Sequence, residues 1–180
     1  MTRREQGVQA GDESTPPGDK AASAAAPETG HAAQPLVREL ERAECEAILS
    51  RNIVGRLAFA FRDRVDIEPV HYVYGDGWLW GRTSSSAKLD VLRHSRWIAF
   101  EVDEIDGVFD WRSVVAHGAF YTLDPDGAPA ERTALARGME LLRRIVPATG
   151  TPDDPVPHRN VLFRIHVDRL AGRASTSRAD

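Results

Sequence analysis

Hydrophobic positions follow two patterns along this chain. Apolar and polar residues alternate over several short runs, which is typical of half-buried strands, and residues 39–50 have the amphipathic pattern of a helix. The sequence predicts strands over 53–61, 64–74, 78–83, 96–103, 111–123 and 160–168, and helices over 39–50, 84–94 and from the turn at 124–127 to about 146. Most neighbouring strands are joined by turns, which favours an antiparallel Greek-key β-barrel with flanking helices, a mainly β (α+β) fold, over a βαβ layout.

The segment from Trp78 to Arg93, WLWGRTSSSAKLDVLR, is the most informative. A short strand runs into a cluster of hydroxyls and then into a helix that carries a lysine. Unpaired backbone N–H groups at a helix start attract anions, so this arrangement predicts a phosphate-binding site. The donors around it are Arg82, Thr83, Ser84, Ser85, Ser86 and Lys88. The alternative is that the serines only cap a surface helix and Lys88 is solvated.

Five segments, in this order, resemble the pyridoxamine phosphate oxidase-like superfamily of FMN-binding split barrels. They are ELERAECEAILSRNIVGRLAFAF, IEPVHYVY, GRTSSSAKLDVLR, WRSVVAHGAFYTL and LFRIHVDRLAGRAS. The resemblance spans roughly Leu36 to Arg173 and is strongest for the nitroimidazole-reductase-like and small pyridoxamine oxidase-like branch. It implies a six-stranded split barrel that forms a homodimer, with an FMN site at each side of the interface.

The resemblance also implies which residues hold the cofactor. One strand would run beside the flavin ring, the helix start would hold the phosphate, and the start of a later strand would reach the flavin of the opposite subunit. These residues are, in turn, Glu68, Pro69, Val70 and His71; Arg82, Thr83, Ser84, Ser85, Ser86, Lys88 and Leu89; and Trp111, Arg112 and Ser113.

His71 is the candidate for a catalytic role. Period-two alternation places Pro69, His71 and Val73 on one face of their strand and Val70 on the other. If His71 faces the cofactor, it can donate to a flavin carbonyl or to a substrate; the alternative is a half-buried histidine bonded to backbone. For the Trp111 cluster, the alternative is strand packing with a solvated arginine.

The chain departs from true pyridoxamine phosphate oxidases. It has DIEPVH where they present an arginine and a lysine to the phosphate, and only Arg173 after Gly172 in the closing region. Vitamin B6 oxidation is therefore not expected. We expect instead an FMN-dependent oxidoreductase that transfers hydride to or from a small organic substrate. The alternatives are a deazaflavin-dependent reductase, or a non-catalytic split barrel that carries or senses flavin or haem.

Composition sets further limits. Residues 1–34 contain almost no large apolar side chains and are expected to be a disordered tail, followed by one domain over 35–173 and a short C-terminal tail over 174–180. The net charge of −4 disfavours nucleic acid as a partner, and no segment is long and apolar enough to cross a membrane. The single cysteine, Cys45, allows no intrachain disulfide, and the scattered histidines predict no metal site. These features favour a cytoplasmic protein.

Overall fold

A computed structural model describes residues 34–61 and 63–177, which all belong to one compact unit, Ala33–Asp180. The disorder expected for the N-terminal tail concerns residues that, apart from Gln34, lie outside the described ones. In chain order the elements are β1 (Leu36–Leu40), α1 (Arg42–Arg51), β2 (Val54–Phe61), β3 (Arg64–Gly75), β4 (Trp78–Thr83), α2 (Ala87–His94), β5 (Trp97–Ile105), β6 (Trp111–Thr122), α3 (Pro129–Leu142) and β7 (Val161–Thr176).

The strands form one antiparallel sheet that curls into a ring. Their order is β1-β7-β4-β3-β2-β5-β6, and an additional pairing of β7 with β6 joins the six strands β2 to β7 into a circle. The seventh strand, β1, pairs with the C-terminal part of β7. This architecture, with three helices around a ring-like sheet, is consistent with a split β-barrel and confirms the predicted fold class.

Large apolar side chains fill the inside of the ring. Tyr72 of β3 and Phe100 of β5 meet edge to face with ring centroids 4.9 Å apart. The Tyr72 hydroxyl also donates to the Leu49 carbonyl of α1 at 2.8 Å, so that buried polar group is paired and fixes the helix against the sheet. Because the interior is occupied by side chains, a ligand must bind outside the ring.

A second apolar cluster lies on the outer face of β4, where α3 covers it. Trp80 of β4 packs there with Leu141 and Leu142 of α3 and with Leu162 of β7. A Cβ atom added to Gly138 would lie 2.8 Å from the Trp80 ring, so glycine permits this close approach of helix and strand. The packing anchors the segment that follows α3 beside β3 and β4.

The predicted start of the first helix, at residue 39, was wrong. Residues 39 and 40 belong to β1, which the sequence reading missed, and α1 begins at Arg42. The Glu44 carboxylate accepts a hydrogen bond from the Glu41 backbone N–H at 2.8 Å, which stabilises the helix start at that point. Four of the five β1 residues are exposed, so this strand shows no buried alternation that a sequence pattern could reveal.

The last strand was predicted too short. β7 continues to Thr176, through residues that the sequence analysis assigns to the C-terminal tail. Its register against β6 shifts between His117 and Gly118, whose partners are Arg169 and Val167. The extra residue, Asp168, breaks the period-two pattern at the point where the prediction stopped.

Other differences are small. α2 begins at Ala87, three residues later than predicted, and α3 ends at Leu142 rather than near 146. β5 extends two residues further than predicted, to Ile105. No helix among the described residues is long and apolar enough to cross a membrane.

Candidate functional site

The predicted phosphate-binding site lies where β4 leads into α2. Ser86 has an extended backbone (φ −162°, ψ 166°) and immediately precedes the helix. The Leu89 side chain is buried in the ring and its backbone N–H bonds the Ser86 carbonyl at 2.9 Å, so Leu89 positions the helix. Lys88 is next to it in sequence, with a side chain only 12% exposed. Packing of α2 therefore holds the lysine beside the serine cluster.

Donors at this helix start have few partners. In the part of the chain that the structure describes, the hydroxyls of Ser84, Ser85 and Ser86 form no hydrogen bond. The Lys88 ammonium pairs with the Glu68 carboxylate of β3. Free hydroxyls, helix N–H groups and a lysine fit a phosphate, and Glu68 is the anion with which that phosphate would compete.

Arg82 is placed differently from what a direct phosphate contact requires. Its guanidinium is buried and forms two hydrogen bonds with Asp154, the Nη2–Oδ1 contact being 2.9 Å. These bonds hold the pKa of the Asp154 carboxyl well below its usual range, helped by the backbone N–H groups of Gly150 and Val156. Arg82 thus fixes the segment after α3. Thr83 is also buried, at the end of β4.

The strand expected along the flavin ring has the predicted alternation. Val70 is buried in the ring of strands, whereas Pro69 and His71 are exposed on the outer face. Only the backbone of Val70 is therefore available to a ligand on that face. Glu68 lies two residues before Val70, with its carboxylate on Lys88.

Trp111, Arg112 and Ser113 do not lie on one face of β6. Trp111 and Ser113 lie on the outer face of β6, and the alternation turns Arg112 to the other. The Arg112 guanidinium pairs with Asp106 at 3.3 Å and approaches Glu104 at 3.9 Å. The Ser113 hydroxyl donates to Glu101 at 3.0 Å.

A groove of about 550 Å³ runs along the outer face of β6 and β7. Trp111, Ser113 and His117 of β6 line it, together with Arg173 of β7. The His117 Nδ1 atom is buried and has no hydrogen-bond partner within the described residues. This groove offers an aromatic face and a cation to a planar polar ligand.

The two parts of the expected flavin site are far apart in one chain. β3, which carries His71, and β6, which carries Trp111, occupy opposite positions in the six-stranded ring, with two strands between them on either side. At a strand spacing of about 4.8 Å, they are separated by roughly 14 Å along the sheet. Their outer faces also point away from each other, so a single chain does not bring these residues to one small molecule.

The model of the pyridoxamine 5'-phosphate oxidase family matches residues 41–174. This chain belongs to that family. An uncharacterized protein of Rhizobium meliloti is 26% identical over 149 residues, which cover 78% of this chain and 96% of the relative.

Two solved structures of flavin-binding proteins are similar. An FAD-binding protein from Mesorhizobium loti is 26% identical with a TM-score of 0.63, over 78% of this chain and 99% of that protein. The FAD binding protein from Mycobacterium smegmatis shares the fold at 23% identity and a TM-score of 0.56, over 77% and 98% of the two chains.

Sequence reasoning missed several residues that shape the site of this family member. Asp154 and Arg159 come from the segment after α3, to which the sequence analysis assigns no role. Glu101 and His117 lie on β5 and β6, where the apolar pattern indicates strands and gives no sign of a role for these two polar residues. An aspartate in a Pro-Asp-Asp-Pro turn was the one available signal, because such residues often order loops through backbone hydrogen bonds. No group of three or more His, Cys, Asp or Glu side chains in the described ranges could hold a metal ion.

Proposed function

We propose that this protein binds FMN, with the phosphate at the N-terminus of α2. The observation that carries the proposal is the set of donors there: Lys88, held by a buried neighbour, beside three serine hydroxyls without partners among the described residues. A helix N-terminus alone is a weak anion site, but a lysine and several hydroxyls add charge-assisted hydrogen bonds. Family membership supports the proposal.

The outer face of β3 is the proposed position of the flavin ring. Pro69 and His71 present an apolar surface and a hydrogen-bonding imidazole to it, and the exposed side of the strand leaves room for a planar group. When bound, the flavin supplies hydride transfer to or from a small organic substrate. The protein holds the phosphate, orients the ring and places His71 where it can donate to the ring or to the substrate.

We propose further that two copies form a homodimer and complete each other's sites. Trp111, Ser113 and Arg173 of one copy would close the flavin site that begins at α2 and β3 of the other. The outer face of β3 and β5 supports an interface, since Ile67 is 63% exposed and Trp97 is 70% exposed. Exposed apolar surface of this kind is typical of protein contacts.

FAD is the second candidate cofactor. The Mesorhizobium loti protein, 26% identical, is named an FAD-binding protein. FAD also carries phosphate groups and could use the same helix start, so the proposed phosphate site does not distinguish FMN from FAD.

The test is to purify the protein, record its visible spectrum and identify the released cofactor by mass spectrometry. We expect flavin absorption, about one FMN per chain, and a dimer mass by light scattering. A protein that takes up neither FMN nor FAD would contradict the flavin site. A deazaflavin or haem spectrum would replace FMN by that group, and a monomer mass for the loaded protein would refute the shared site.

A further inference from the structure

A small pocket lies between β3, β4 and the segment that follows α3. Its volume is about 250 Å³. The apolar lining comes from Leu142 at the end of α3 and from Ile145, Val146, Pro155 and Val156 in the following segment. His71 of β3 and Arg159 border the same space. The pocket therefore combines an apolar lining with two groups that can donate hydrogen bonds.

Internal hydrogen bonds shape the pocket before any ligand arrives. Arg82 in its wall bonds both oxygens of Asp154. Asp154 also accepts from the backbone N–H groups of Gly150 at 2.8 Å and Val156 at 3.0 Å. These contacts fix the chain around residues 150–156 and neutralise the charge of Arg82. Among the described residues that line the pocket, a ligand thus meets no free carboxylate, and the charge of Arg82 is already neutralised.

Arg159 is the cation that remains. Its side chain lines the pocket and is half-buried, and no carboxylate within the described part of the chain pairs with it. The imidazole of His71, also in the lining, has no hydrogen-bond partner among the described residues either. A partly desolvated guanidinium gains most from a ligand anion, because a carboxylate can accept two of its N–H groups.

We propose that this pocket binds a small apolar monocarboxylate, such as an aromatic or short branched acid, with its carboxylate on Arg159 and its apolar part against Val146 and Val156. The volume suits roughly one six-membered ring with one substituent, below the usual range for drug-sized ligands. The volume is too small for a nucleotide, and the apolar lining disfavours sugars. His71 borders both this pocket and the proposed flavin site, so the acid would lie beside the flavin. That placement rests on the proposed function, whereas the binding of the acid does not.

Calorimetric titration with benzoate tests the proposal. We expect benzoate to bind with a dissociation constant of about 1 mM or lower, which the efficiency of small ligands allows. Benzyl alcohol, which keeps the ring and lacks the charge, should bind at least about tenfold more weakly. In Arg159→Met, benzoate affinity should fall about ten- to a hundredfold, as for loss of a charged hydrogen bond.

Two further variants make the result specific. Arg144→Met removes an exposed arginine that pairs with Glu140 outside the pocket and should leave benzoate affinity unchanged. Val156→Trp should fill the pocket and abolish binding of both ring compounds. Equal benzoate affinity in wild type and Arg159→Met, equal affinity for the acid and the alcohol, or no benzoate binding would each overturn the proposal.

Flavin content, measured in the same samples, separates this proposal from the proposed function. Benzoate binding that depends on Arg159 in a protein that takes up no flavin would leave the acid pocket standing and remove its placement beside a flavin. Flavin binding without benzoate binding would refute the acid pocket and leave the flavin site intact.

Discussion

The lysine at the start of α2 provides the sharpest test of the proposed phosphate site. Lys88→Met keeps the length and apolar stem of the side chain and removes its charge. A charge-assisted contact with phosphate contributes about 1.5–3 kcal/mol, so FMN should bind about ten- to 150-fold more weakly. Riboflavin lacks the phosphate, and its affinity should not change. Titration of the flavin-free protein, followed by quenching of flavin fluorescence, measures both constants.

The pairing of Lys88 with Glu68 adds a second variant whose effect has the opposite sign. The Glu68 side chain is 43% exposed, and its carboxylate forms an ion pair with the Lys88 ammonium that the phosphate would contact. Glu68→Gln removes this competitor and a nearby negative charge, so FMN affinity should rise, by about two- to fivefold for a partly exposed ion pair worth roughly 0.5–1 kcal/mol.

The matched control is Arg93→Met. Arg93 lies on the same helix, pairs with Asp90 and has a side chain that is 58% exposed. Its removal changes the net charge as Lys88→Met does, and FMN affinity should stay within about twofold. The reasoning is refuted if Lys88→Met binds FMN as tightly as wild type, if it weakens riboflavin equally, or if Glu68→Gln weakens FMN as much as Lys88→Met does.

Four other predictions concern stability, assembly and the N-terminal segment. Asp154→Asn should make the free energy of unfolding depend less on pH in the acid range, because the pKa of Asp154 is lowered in the folded protein. The stabilisation by the ionised carboxylate is complete above the ordinary pKa near 4 and is lost as the pH falls toward the folded pKa. Urea titrations at several pH values measure this free energy. Gly118→Ala, whose Cβ would lie 1.8 Å from a backbone carbonyl oxygen, should lower the melting temperature by roughly 10 °C, while Gly107→Ala, with nothing closer than 3.7 Å, should change it little. Ile67→Lys should give a monomer by light scattering with weaker flavin binding. Deletion of residues 1–33 should leave melting temperature and flavin content unchanged, and a fall above about 5 °C would contradict the expected disordered tail.

Local patterns were sufficient to predict much of this fold. The outward position of His71 and the burial of Val70 follow from period-two alternation, which requires no knowledge of distant residues. The strand, serine cluster and lysine of the proposed phosphate site are contiguous in sequence, so their proximity was predictable too. The same alternation, applied to β6, would have separated Arg112 from its two neighbours before the structure was known.

Long-range pairings were not predictable in this way. The sequence predicts Arg82 as a phosphate ligand because it immediately precedes the hydroxyl cluster of residues 83–86, yet its partner Asp154 lies 72 residues later. Only the closure of β7 between β4 and β6 brings that segment to Arg82. No sequence pattern indicates a binding role for Arg159, because that role depends on the absence of a paired carboxylate among the described residues, which only the structure shows.

The filled ring of strands determines where function can reside in this family member. Side chains such as Tyr72 and Phe100 occupy its interior, so ligands must use the outer faces. A convex outer face does not form a pocket by itself, so the sides of a binding pocket must come from elements packed against that face. Here the segment after α3 provides one wall, and a second copy is proposed to provide another. Because the apolar lining and Arg159 of the acid pocket lie in residues 142–159, whereas the phosphate site uses residues 84–88, substitutions in 142–159 should alter acid binding without altering phosphate binding.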